Sequence, residues 1–520
     1  MSNHDTIESR TDYKSPSQVP DHDPKDVVAT TSRSLNEGEV ETGVVQRIDE
    51  KYYSKVSVWL MMLFSGLAIG SDGYNASVIG NVELLFAILY PEALTSEMKS
   101  RLSNAFLIGM IIGMLGFGFV ADQLGRKTGA VATTILLVFG IALSTAANGA
   151  NNTGLMWMLV IARGVAGVGA GGEYPVSCAG ALEASDEGAQ YRKQRGFMFA
   201  LVGDLSASLG YCWGALVPLL LLLCVNQKES HYELVWRLSF ALGMIPPLSI
   251  FYFRMRIAVS TAYRKSSLRK QKVPYLLIVR RYWRRLFGAG ATWFLYNWIS
   301  IPFGIFSSTI VSRVNPSDSM VKTLGWGVVI NAFYIPGAFI GGLLSDRIGR
   351  RKTMALGFTL QGILGFVLGG ANKQILSVFP LFVVIYGLFL TLGEVGPGAT
   401  VAISASEPFP TSIRGHTTGF IAAWSKAGAA IGTQVFTSIL NAYTDNPDKG
   451  NQVAFLIGSC FAILGAIIAF FFLQDVDKHL DNEDDKWKAY LAEHGWQGSW
   501  GDNETADPKG VFKHGLVHTS

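Results

Sequence analysis

The sequence predicts an all-α polytopic membrane protein, with twelve transmembrane helices grouped as two six-helix bundles. Three observations predict it. Of 520 residues, 49% are hydrophobic and only 16% charged. The apolar residues are gathered into runs of about 20, the length that crosses a bilayer. The runs fall six on each side of a basic linker, and Lys and Arg crowd alternate loops. A soluble chain of this length would instead divide into about two to four mixed-composition domains.

In chain order, residues 1–50 are polar and lack apolar periodicity, as expected of a disordered tail. They contain no apolar core of a signal peptide. The N-terminal bundle is expected over 51–257, with helices at about 56–80, 103–121, 129–148, 155–182, 196–224 and 235–257. The first carries Asp72 in the segment GSDGYN, and the second ends in ADQLGRK, with Asp122 and Arg126. The fifth contains Asp204. The linker, 258–285, holds nine basic residues and no acid. The C-terminal bundle is expected over 286–473, with helices at about 286–311, 322–344, 353–371, 377–405, 415–440 and 453–473. They carry Trp293 and Asn297, the loop SDRIGRRK with Asp346 and Arg350, then Glu394 and Lys426. A second polar tail covers 474–520.

The loops after helices 2, 4, 6, 8 and 10 are the basic ones, which places both termini and the linker in the cytoplasm. The linker is a topology signal that also attracts anionic lipid. No aromatic-interleaved fold accompanies it, so nucleic acid is not an expected partner. The four cysteines, Cys178, Cys212, Cys224 and Cys460, lie in helices without paired spacing. Neither a disulfide framework nor a metal site is indicated. No nucleotide-binding motif appears, and no nucleophile–base set stands out, so neither a cofactor nor an enzyme is expected.

Helix 4 contains the most informative stretch, RGVAGVGAGGEYP, from Arg163 to Pro175. A charge at membrane depth costs at least about 2.5 kcal/mol, so Arg163 and Glu173 face the bundle interior or an aqueous cavity. The glycines between them let neighbouring helices approach closely. The bland alternative is a packing stripe with one buried salt bridge.

ADQLGRK after helix 2 recurs as SDRIGRRK after helix 8. Glu183 followed by Arg195-Gly196 resembles Glu407 followed by Arg414-Gly415. Parallel internal similarity between two halves is a transporter signature. With these motifs the chain resembles the major facilitator superfamily over about residues 55–475. That resemblance implies that Asp122, Arg126, Asp346 and Arg350 lock the inner gate without touching substrate.

A closer resemblance is to the phosphate:proton symporter family. It rests on Gly171-Gly172-Glu173-Tyr174-Pro175, Asp72, Trp293-Phe294, Gly396-Pro397 and Lys426-Ala427-Gly428-Ala429. The departures matter. Glu173 and Asn297 stand where that family has aspartates, Ile301 where it has a tyrosine and Gly398 where it has an asparagine. The glutamine of its helix 5 falls near Ser206. GGEYP, SDGYN and PFGIFSS at 302–308 look more like the fungal glycerophosphodiester permeases. The resemblance implies proton-coupled import of glycerophosphoinositol or glycerophosphocholine, with phosphate itself a poorer fit. Gly398 and Ile301 are expected to leave room for the larger substrate.

Lys426 lies about 16 Å into helix 11, near the midplane. A bare ammonium there needs an anion. The phosphodiester is one, and Asp72 or Glu173 is the internal substitute. Asp72 and Glu173 are the expected proton carriers, and Asp204 and Glu394 either share that role or satisfy local contacts. Tyr174 and Trp293 form pocket wall or packing. Asn297 offers an amide to a hydroxylated head group. Arg163 is a structural or proton-relay partner. The expectation is therefore a monomeric plasma-membrane transporter whose partners are a small phosphodiester, protons and the lipid bilayer. The alternatives are a proton-antiport exporter of an organic anion or secondary metabolite, and a non-transporting nutrient receptor.

Overall fold

A computed structural model describes residues 55–124, 126–186, 195–254, 273–314, 319–410, 412–474 and 481–496. Their regular structure is helical throughout. The first half contains α1 (Lys55–Leu89), α2 (Ser96–Leu124), α3 (Arg126–Thr145) and α4 (Asn152–Asp186). It closes with α5 (Gly196–Cys224) and α6 (Glu229–Phe251). The second half begins with α7 (Tyr275–Ile305), which continues as Ser307–Val314 after a 55° bend. Next come α8 (Met320–Ile348), α9 (Arg350–Gly370) and α10 (Phe379–Ser406). The chain then forms α11 (Arg414–Ala442), α12 (Pro447–Phe472) and α13 (Asp481–Glu493).

Among the described residues eight helices are long and apolar enough to cross a bilayer, and the bent α7 makes a ninth. Three further helices, α1, α3 and α11, complete the twelve. Buried Lys426 makes α11 the least apolar of these. Polar groups are inside and apolar ones outside: Ile161 is 64% exposed and Phe471 72%, while Arg163 and Glu394 are buried. This is the distribution a bilayer selects.

Three boundaries differ from expectation, each for a physical reason. α1 runs to Leu89 rather than ending near 80. Asn81 and Glu83 look like a polar helix end but are interior: Ser308 Oγ donates to Asn81 at 2.7 Å and Ser103 Oγ to Glu83 at 2.7 Å. α7 begins at Tyr275, so residues 275–285, assigned to the linker, form its first turns. Their arginines alternate with buried Ile278 and Tyr282, and long basic side chains reach outward from a packed helix. In the expected C-terminal tail, α13 buries Trp487 and Leu491 fully. Arg285 pairs with Glu483 at 3.2 Å. Residues 1–50, 258–272 and 497–520 of the expected tails and linker lie outside the described residues.

The helix 4 glycines act as contact points. A Cβ on Gly171 would lie 2.1 Å from the Met110 carbonyl of α2, and one on Gly169 would lie 2.3 Å from the Leu137 nitrogen of α3. Only hydrogen at those positions permits the observed spacing.

The halves meet along α2 with α11 and along α5 with α8. At the end carrying the basic loops, the Gly196 and Phe197 amides each donate to the Asp346 carboxylate at 2.8 Å. The Phe197 and Phe339 rings pack edge to face at 5.3 Å beside them. At the opposite end α1 crosses α7 so closely that a Cβ on Gly80 would lie 2.0 Å from the Ile305 carbonyl. Asn104 donates to Gln434 there at 3.3 Å. The space between the halves is thus walled at both ends.

Candidate functional site

A cavity of about 80 Å³ lies between the halves. That is room for a few waters. Its walls come from α5, α7, α8, α10 and α11, and Trp293, Asn297, Lys426, Asp204 and Glu394 all line it.

Two of those walls are not regular α-helix. Leu201–Leu205 of α5 and Glu394–Gly398 of α10 are π-helical turns. A π turn inserts one residue and rotates the register of the helix beyond it, which is why such turns recur at functional sites. In α5 the result is that Asp204, Ser208 and Tyr211 face the cavity. Ser206, near which the family's helix 5 glutamine falls, points at α1, where its Oγ would meet a Cβ on Gly66 at 2.5 Å.

On α10, Glu394 Oε1 accepts the Tyr296 hydroxyl and, at 3.5 Å, that of Ser300. Its other oxygen lies over Gly398. A Cβ on Gly398 would meet Glu394 Oε2 at 2.1 Å and Asp204 Oδ1 at 3.0 Å. The Asp204 and Glu394 carboxyls face each other across Gly398. Gly398 therefore lines the cavity without leaving it open, because the paired carboxyls occupy the direction of the missing side chain. Tyr334 closes this region, donating to the Ser300 carbonyl at 3.0 Å.

Lys426 is buried on α11 and is the cation lining the cavity among the described residues. The charge of Asp72, buried on α1, acts on it. Asn297 Nδ2 donates to the hydroxyl of Ser425, next to Lys426, at 3.1 Å. Glu173 is buried but is not among the residues lining the cavity. Arg163 holds backbone: it donates to the Leu102 carbonyl at 3.0 Å and the Asn75 carbonyl at 3.3 Å, tying α4 to α2 and α1. The charge of Glu83 acts on it from α1. Asp346 bridges the two halves as described, and Arg350 reaches Asp346 at 3.6 Å and Glu407 at 3.3 Å. The side chains of Tyr174, Asp122 and Arg126 lie outside the described residues.

The expected set thus separates into three. Trp293, Asn297 and Lys426 share the cavity, with Asp72 acting on Lys426. Arg163 and Asp346 hold helices together. Glu173 is interior but apart from the cavity lining. Sequence inspection noted Asp204 and Glu394 singly and missed that they meet. The signal available was that each follows a glycine within an apolar span, Gly203-Asp204 and Gly393-Glu394.

Comparison with known proteins agrees with this architecture. The family model described as Major Facilitator Superfamily matches residues 312–503, and that described as Sugar (and other) transporter matches residues 58–272. Glycerophosphoinositol permease 1 of Candida albicans is 38% identical over 86% of this chain and 84% of its own length. Glycerophosphoinositol transporter 1 of Saccharomyces cerevisiae is 34% identical over 92% of this chain and 93% of its own. The proton:xylose symporter XylE from E. coli superposes with a TM-score of 0.70 at 16% identity, covering 84% of this chain and all of XylE. At that identity the match speaks to the fold alone.

Proposed function

We propose that this chain, which belongs to the glycerophosphoinositol permease family of the major facilitator superfamily, imports a glycerophosphodiester such as glycerophosphoinositol or glycerophosphocholine together with protons. The observation that carries the proposal is Lys426. It is a buried cation in a cavity between two bundles, with hydroxyl and amide groups around it. A phosphodiester carries one negative charge, which Lys426 matches. Asp72 is the internal counter-ion that the substrate displaces, so the lysine has a charged partner in every state of the cycle. Tyr211, Asn297 and Ser300 offer hydrogen bonds to head-group hydroxyls, and Trp293 supplies an aromatic wall. The cavity of about 80 Å³ is smaller than such a substrate, so binding requires the halves to part at one end.

On this proposal the protein acts as a monomer in the plasma membrane, with both termini cytoplasmic, a placement that the basic loops support. Asp346 and Arg350 hold the cytoplasmic end closed. The test is vesicle transport with full-length protein. An inward proton gradient is expected to drive accumulation of labelled glycerophosphoinositol, with alkalinisation of the outer medium. Efflux driven by the same gradient would instead support the exporter, and saturable binding without flux would support a receptor.

A further inference from the structure

Asp204 and Glu394 have no part in the anion site described above, yet they are the acids that face each other inside the cavity. Asp204 comes from α5 in the first half and Glu394 from α10 in the second. Each sits on its π turn. Their oxygens converge over Gly398. Glu394 Oε2 and Asp204 Oδ2 are buried without a hydrogen-bond partner.

We propose that Asp204 and Glu394 share a single proton and form the site that couples proton movement to the opening and closing of the two halves. Two facing carboxylates repel, whereas a carboxyl and a carboxylate hydrogen-bond. With one proton between them the pair pulls α5 and α10 together. Without it the pair pushes them apart. The proton binds a carboxylate oxygen when the halves part on one side and leaves to water when they part on the other. A glycerophosphodiester at Lys426 and a proton at the pair are then both needed before the cavity closes around its load. This rests on the transporter assignment proposed above and adds the ion site to it.

The groups around the pair are consistent with a proton and not a fixed ion pair. Tyr211 on α5, Tyr296 on α7 and Tyr334 on α8 face it, all neutral donors, with Ser300 beside them. From α9, the uncharged Gln361 packs at Gly393. Lys426 on α11 lines the same cavity, with Asp72 on α1 acting on it. Among the described residues no cation forms an ion pair with Asp204 or Glu394. Nor does any set of three His, Cys, Asp or Glu that could hold a metal ion occur there.

Two measurements on the full-length protein test this. The first needs no substrate. Infrared pH titration of wild type is expected to show a buried carboxylic-acid C=O band. That band should shift or vanish in both Asp204→Asn and Glu394→Gln. A band unchanged in frequency and pH profile in both variants overturns the shared proton. The second is transport in vesicles. Each variant is expected to lose proton-driven accumulation of labelled glycerophosphoinositol by at least about tenfold, within the usual range of coupling free energies. Exchange of external for internal substrate, which needs no net proton movement, should fall less than accumulation does. Wild-type accumulation in either variant, or a sodium gradient that drives uptake equally at constant pH, overturns the coupling role. If wild type moves no glycerophosphoinositol at all, the substrate assignment fails, and the infrared result still decides the proton site.

Discussion

Lys426→Ala is expected to lower affinity for a glycerophosphodiester by at least about thirtyfold. The cation is buried on α11, where water screens it poorly. Truncating one partner of a buried, hydrogen-bonded charge pair costs about 2–5 kcal/mol, and about 1.4 kcal/mol is tenfold in affinity. The variant also leaves Asp72 buried without the charge that acts with it, which deepens the loss. Lys426→Arg keeps the charge and is still expected to impair transport. Its planar guanidinium is larger than the ammonium and cannot shed its proton, and the cavity offers about 80 Å³. Direct binding of labelled glycerophosphoinositol checks both, with an unchanged thermal midpoint showing that the fold is intact. Near-wild-type affinity in Lys426→Ala would remove this residue from the site.

Asp346→Ala is expected to reduce the maximal transport rate by at least about tenfold while changing affinity by less than about threefold. Asp346 accepts two backbone amides at the start of α5 from the end of α8, so it ties one half to the other. Hydrogen bonds to a charged acceptor contribute about 1.5–3 kcal/mol each, and a helix N-terminus adds favourable dipole energy. Losing both contacts shifts the closed–open balance by more than about tenfold, without touching the cavity. A cysteine placed at Ala200 reports this directly, because Ala200 packs against Gly342 at the same end. Its labelling by a water-soluble maleimide should accelerate in the Asp346→Ala background. An unchanged labelling rate would mean that Asp346 does not hold this end closed. Asp346→Asn keeps an acceptor without the charge and is expected to fall between the two.

Much of the fold was legible in the sequence because the bilayer imposes a simple rule. An apolar run of about 20 residues must be a helix, and the recurrence of ADQLGRK as SDRIGRRK marked the two halves. The same rule explains the features that were not legible. Asn81 and Glu83 look like a loop because hydropathy cannot tell a polar residue in water from one bonded inside the bundle. The arginines of 275–285 hid the start of α7 in the same way. Within the site, Lys426, Trp293 and Asn297 were recognisable from motifs, and the structure sets all three on one cavity. Glu173 was not separable from the cavity acids by sequence, since depth in the membrane does not say which way a helix face points. The Asp204–Glu394 meeting was hidden because it depends on two π turns. A periodicity of 3.6 residues cannot express them, and Ser206, near which the family's helix 5 glutamine falls, faces α1.

The central claim is that Lys426 and the hydroxyl and amide groups around it select an organic phosphodiester over inorganic phosphate. Competition tests it most directly. Uptake of labelled glycerophosphoinositol into vesicles should be measured against excess unlabelled glycerophosphoinositol, glycerophosphocholine and phosphate. The account predicts that at least one diester competes strongly and phosphate weakly. The chain offers Asn297, Ile301 and Gly398 where phosphate symporters are expected to carry tighter polar contacts. Phosphate competing as well as either diester would contradict it.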